Sequence, residues 1–148
     1  MATRTRSARS PLLLHPPFVS AAAVLLIAAF VTDYMYYSTS LMQWANFSAW
    51  LLVGGLVVAL IAAIFLLVDV LLGHTGPIHL VEFIVMALVA ILSIFNAFIH
   101  SRDAWTSVVP TGIILSAISA ILLIIMSFRG WSVTDARIRE TREEGERS

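Results

Sequence analysis

Read for hydropathy alone, the chain alternates between long apolar runs and short polar joints. Four runs, roughly residues 17–37, 46–72, 78–100 and 107–129, reach the ~20 mostly apolar residues that a helix needs to cross a bilayer. The two-residue alternation of a membrane barrel strand is absent. The pattern predicts an all-α fold, a four-helix antiparallel transmembrane bundle. The joints carry turn chemistry. In GHTGP (73–77) Gly73 stands where a helix C-cap wants it, and Pro77 stands at the expected start of the third helix. Pro16, Pro17 and Pro110 fall in first turns, where a missing N–H costs nothing, with Ser107 as an N-cap before Pro110. Joints this short make consecutive helices antiparallel neighbours.

This divides the chain into a basic N-terminal tail (1–14), a four-helix domain (15–131) and a charged C-terminal tail (132–148) that reads as solvated helix or disorder. A cleaved signal peptide is the rival reading of the first helix. The apolar run is too long for it and ends in DYMYY, without a small-residue cleavage site.

Arginine placement sets an expected orientation. Arg4, Arg6 and Arg9 precede the first helix; Arg129, Arg137, Arg139, Arg142 and Arg147 follow the last, and Arg102 alone lies in a joint. The positive-inside rule then places both termini in the cytoplasm. Tyr34, Tyr36, Tyr37, Trp44, Trp50 and Trp105 gather at the opposite helix ends, as an interfacial belt would, with Trp131 at the cytoplasmic side.

Composition agrees. The 148 residues are 59% hydrophobic and 12% charged, with a mean hydropathy of +0.93, where a soluble domain carries about 25% charged residues. The formal net charge is zero, which gives no footprint for nucleic acid. With no Cys in the chain, disulfides, thiolate metal sites and covalent c-type haem are excluded. No P-loop, dinucleotide fingerprint or nucleophile elbow occurs, so the sequence leans away from an enzyme.

Within the bundle, small residues must let backbones approach, because lipid supplies no hydrophobic drive between helices. Gly55, Ala59 and Ala63, and likewise Gly112, Ser116 and Ala120, form small ridges at four-residue spacing. Intramolecular packing is the favoured use of both ridges. On the third helix Glu82, Met86, Val89, Ser93, Asn96 and His100 follow a 4-3-4-3-4 spacing, one stripe that must face the interior.

Sorted by depth, the ionisable groups fall into two layers. The outer layer holds Asp33, Asn96, His100 and Arg102. There Asp33 is expected to pair with Arg102 or to accept from His100 and Asn96, pinning the first helix to the third. The inner layer holds His15, Asp69, His74, His79 and Glu82. Imidazole plus carboxylate suits a divalent metal, and two of these histidines could hold a b-type haem. Interfacial or hydrogen-bonded histidine without any cofactor is the favoured reading.

The stretch HPPFVSAAAVLLIAAFVTD (15–33) resembles the opening of a bacterial family of predicted membrane proteins known as domain of unknown function twenty-two thirty-one. Its members begin with His-Pro and reach an Asp near the end of helix 1, as His15, Pro16 and Asp33 do here. Gly54 and Gly55 through Asp69, then His79, Asn96, Arg102 and Gly130-Trp131 extend the resemblance over about residues 15–131. The family's second His and following Pro fall on Ser20 and Ala22. The resemblance implies a four-helix membrane domain. Some relatives are fused to Rieske or cytochrome c domains, which implies work beside redox modules.

Three readings of function follow. The first is a non-enzymatic membrane subunit or anchor for a membrane or periplasmic redox partner, docking through Asp33, Tyr34, Tyr36, Tyr37, Trp44 and Trp105. The second is a haem- or metal-binding electron carrier using the inner histidines. The third is a small oligomeric channel for ions or protons built on Asp33, Asn96 and His100. The sequence leaves the oligomeric state open.

Overall fold

A computed structural model of the chain describes residues 12–102, 108–129 and 134–136. Four helices dominate: α1 (His15–Thr39), α2 (Met42–Leu71), α3 (Leu80–His100) and α4 (Thr111–Ser127). They form an all-α bundle. α1, α2 and α3 are each long and apolar enough to cross a membrane, while α4 is a shorter apolar helix of 17 residues. The four helices lie within the four apolar runs or overlap them to within a few residues at each end. Ser107, Trp105, Trp131 and both tails apart from Leu12–Leu14 and Thr134–Ala136 lie outside the described residues.

The α1–α2 hairpin has the most extensive interface. Its turn needs only Ser40 and Leu41, with Ser40 in the left-handed region (φ 56°) and its N–H donated to Tyr36 O. Heptad spacing explains the packing. His15, Ala22, Ala29 and Tyr36 recur every seven residues on the buried side of α1, with Leu26 and Asp33 between them. Ser48, Gly55, Ala62 and Asp69 do the same on α2. A seven-residue repeat keeps one seam turned toward an antiparallel neighbour. Small side chains along it bring the backbones close. Ser48 Oγ donates to Ala29 O at 3.2 Å. A Cβ at Gly55 would stand 2.8 Å from Leu26 Cδ2, so the seam is tight there.

All four helices contribute to the central core of Ala23, Leu26, Ala29, Leu52, Val89 and Leu123. A second cluster of Tyr36, Ala45 and Val108 closes the end of the bundle where α1 and α2 join. Two expectations change here. Tyr36 is buried rather than part of an interfacial belt, whereas Tyr34 and Tyr37 are exposed. Pro77 does not open α3. It lies in a short strand, β1 (Thr75–Ile78), and His79 is the residue that precedes the helix.

β1 pairs antiparallel with β2 (Thr134–Ala136), with Thr75 opposite Ala136 and Ile78 opposite Thr134. The charged C-terminal segment therefore does not leave the domain at residue 131. Thr134 is fully buried, and its Oγ1 donates to Gly76 O and Pro77 O, each at 3.1 Å. The hydroxyl holds the start of β2 onto β1 where the register slips.

Candidate functional site

At one end of the bundle, the last turn of α2 meets the first turn of α1. Gly73 (φ 67°) ends α2 in a left-handed cap: Gly73 N–H donates to Val70 O and His74 N–H to Asp69 O, both at 3.0 Å. This pair of bonds is a Schellman motif. It fixes Asp69 one turn before the helix end, facing the seam. Asp69 Oδ2 accepts from Leu14 N–H (2.9 Å), His15 N–H (3.2 Å) and His15 Nδ1 (2.8 Å).

These contacts account for the opening of α1. A helix start leaves its first N–H groups without partners. Here two of those positions are Pro16 and Pro17, which have no N–H, and Asp69 takes the donors at residues 14 and 15. A carboxylate from another helix does what an N-cap side chain does locally, and its charge faces the positive end of the α1 dipole.

The side chains of His15 and Asp69 are fully buried. Because Nδ1 donates to the carboxylate, a neutral His15 keeps its lone pair on Nε2, and Nε2 has no partner. Asp69 Oδ1 and His74 Nδ1 are also buried without partners. Glu82 is drawn elsewhere: Arg129 Nη2 and Nε lie 2.7 Å and 2.9 Å from its Oε1. His79 precedes α3 as its N-cap residue. The five residues of the expected inner cluster, His15, Asp69, His74, His79 and Glu82, therefore do not converge. Among the described residues, no three His, Asp or Glu side chains meet at a metal-holding distance.

At the other end, Asp33 on α1 joins α3 and α4. Its Oδ1 lies 2.8 Å from His100 Nε2, and its Oδ2 accepts from Ser116 Oγ at 2.6 Å. The side chains of Asp33 and His100 are 0% and 2% exposed. His100 Nδ1 faces the backbone carbonyl of Asn96 at 3.0 Å. Arg102 is exposed, and the ion-pair partner of Asp33 is His100 instead. Asn96 joins the group through its backbone alone: its side-chain Oδ1 and Nδ2 are buried without partners, as are Ser93 Oγ and Ser119 Oγ. With Asp33 and Tyr36 buried, the expected docking surface loses two of its members.

Of the two small ridges, Gly112, Ser116 and Ala120 are buried, and so is Gly55. Ala59 is half-buried and Ala63 exposed. These two alanines line an apolar groove of about 260 Å³ with Ala87 and Ala90 of α3 as the facing wall and Ala23 and Leu26 of α1 at its base. The groove exists because α2 and α3 touch each other sparingly, while α1 packs along α2. Sequence reasoning missed it, along with the Ser116 contact and the capping by Asp69. The heptads of α1 and α2 were the available signal for the last.

No curated protein and no solved structure matches the chain. The family model described as Predicted membrane protein (DUF2231) matches residues 11–138, which takes in every described element from α1 to β2, and the chain belongs to that family.

Proposed function

We propose that the chain is a multi-pass, non-enzymatic subunit of a bacterial inner membrane, with both termini cytoplasmic, that anchors a partner membrane protein. One observation carries this reading. His15 and Asp69 at one bundle end, and Asp33, His100 and Ser116 at the other, tie helices together, while the small ridge at Ala59 and Ala63 is left open in the α2–α3 groove. Small residues on both walls suit a transmembrane helix of a partner, whose backbone must come close. The arginines at both chain ends support the orientation. A redox protein is the partner class that the family resemblance suggests.

The test uses the protein in mild detergent from its own membranes, run on a native gel. The wild type should migrate in an assembly that contains a second protein, and Ala63→Trp, which fills the groove, should release it as a free subunit. Migration of the wild type alone, or in a complex made only of this chain, would overturn the reading.

His15 supports a second reading, as a haem or metal ligand. A carboxylate on Nδ1 with a free Nε2 is how metal-ligating histidines are commonly oriented. Oxidised and dithionite-reduced absorbance spectra, with elemental analysis of the same sample, decide it. A Soret band or stoichiometric metal lost in His15→Ala supports the ligand role; their absence from protein purified without chelators removes it.

A further inference from the structure

The hydrogen bonds around Asp33 imply a particular count of protons. His100 Nδ1 lies 3.0 Å from the carbonyl of Asn96. A carbonyl oxygen only accepts, so Nδ1 carries a hydrogen. On the other side of the ring, Nε2 lies 2.8 Å from Asp33 Oδ1. Either Nε2 also carries a hydrogen and donates it to a carboxylate, or the acid keeps its hydrogen and donates it to Nε2. In both cases the pair holds one proton more than a carboxylate plus a neutral imidazole.

The surroundings favour the same count. Without that proton the pair would be a lone negative charge at a site where both side chains are almost wholly buried, and isolated buried charge is strongly disfavoured. Asp33 has no arginine partner among the described residues. Its other oxygen receives one neutral donor, Ser116 Oγ. The titratable groups at this end of the bundle, among the described residues, are Asp33, Tyr34, Tyr36, Tyr37, His100 and Arg102. Of these, His100 is the one placed on the carboxylate.

We infer that Asp33 and His100 form a buried proton-binding site that holds a single proton on the hydrogen bond between them. Binding takes one proton from water and leaves the pair neutral overall. Shifting that proton between Oδ1 and Nε2 interconverts acid–imidazole and carboxylate–imidazolium forms without further exchange. Ser116 Oγ stays on Oδ2 in either form, so the loaded site ties α1, α3 and α4 together. This is independent of what occupies the α2–α3 groove.

Nitrogen-15 magnetic resonance of histidine-labelled protein in lipid nanodiscs at neutral pH tests it. The chain has four histidines, His15, His74, His79 and His100, so His100→Gln identifies the signal by its loss. The expected result is one of two. Either both ring nitrogens of His100 are protonated, or Nδ1 alone is protonated and the infrared spectrum shows a carboxylic acid band that vanishes in Asp33→Asn. Asp33→Asn keeps the shape of the acid and can donate from Nδ2, so it should fold with a neutral His100 protonated on Nδ1. A wild-type His100 that is neutral beside an ionised Asp33, on either tautomer, would overturn the proposal.

Discussion

Asp69 Oδ2 and His15 Nδ1 lie 2.8 Å apart, although 54 residues separate them in the chain. The same oxygen receives the N–H groups of Leu14, which precedes α1, and of His15, its first residue, so one carboxylate both caps a helix and orients a buried histidine. The two duties can be separated. Asp69→Ala removes both and should destabilise the bundle by about 3 kcal/mol, the scale for breaking a buried pair by removing one partner. His15→Ala keeps both backbone bonds to Asp69 and should cost less. Thermal unfolding in detergent gives the order; equal losses would show that the cap contributes nothing.

The two neighbouring glycines of α2 should respond in opposite ways. Gly55→Ala drives a methyl to 2.8 Å from Leu26 Cδ2 and 2.9 Å from its Cγ. Leu26 must move within the core, at about 1–3 kcal/mol. At Gly54 the nearest atom would be 4.0 Å away, so Gly54→Ala should be neutral or gain up to about 1 kcal/mol from reduced backbone freedom. The unfolding midpoints of the two variants should fall on either side of the wild type or nearly so.

A similar contrast runs along α4. Ser116→Ala deletes the donor on Asp33 Oδ2 and should cost about 1–3 kcal/mol. Ser119→Ala deletes a buried hydroxyl that has no partner, and should leave the midpoint unchanged or raise it. Denaturation of the two single variants and the double variant would also show whether the effects add.

Thr134→Val should loosen the β1–β2 pair, because Thr134 Oγ1 bridges the carbonyls of Gly76 and Pro77. Limited proteolysis in nanodiscs should then cut the C-terminal segment faster, with the helices intact. An unchanged cleavage rate would mean that the backbone pairing alone holds the segment.

The four helices were legible because hydropathy and length dominate that signal. The outer pairing was half legible. A carboxylate at Asp33 in an apolar run must find a partner on another helix, and the sequence offers His100 at a matching depth. Arg102 was the tempting alternative, but it lies just past the end of α3, where its charge can stay exposed. The inner layer was read by depth alone, and depth says nothing about direction around each helix. Asp69 points along its heptad seam to the start of α1, while Glu82 turns to Arg129. The β pair was not legible. Its strands are four and three residues long and far apart in the chain, too short for a periodic pattern to register.

Helix lengths in this bundle are unequal, and that has a consequence for the surrounding lipid. α2 has 30 residues and α4 has 17, or about 45 Å against about 26 Å of helix. A hydrocarbon layer is about 30 Å thick. In the proposed multi-pass arrangement α2 overshoots it and must tilt or push its ends among the headgroups, whereas α4 falls slightly short. The shorter helix then sets the tolerance: a thinner bilayer fits α4 and asks only for more tilt of α2, while a thicker one must pinch inward around α4. Hydrophobic mismatch would therefore sort this protein toward the thinner regions of its membrane.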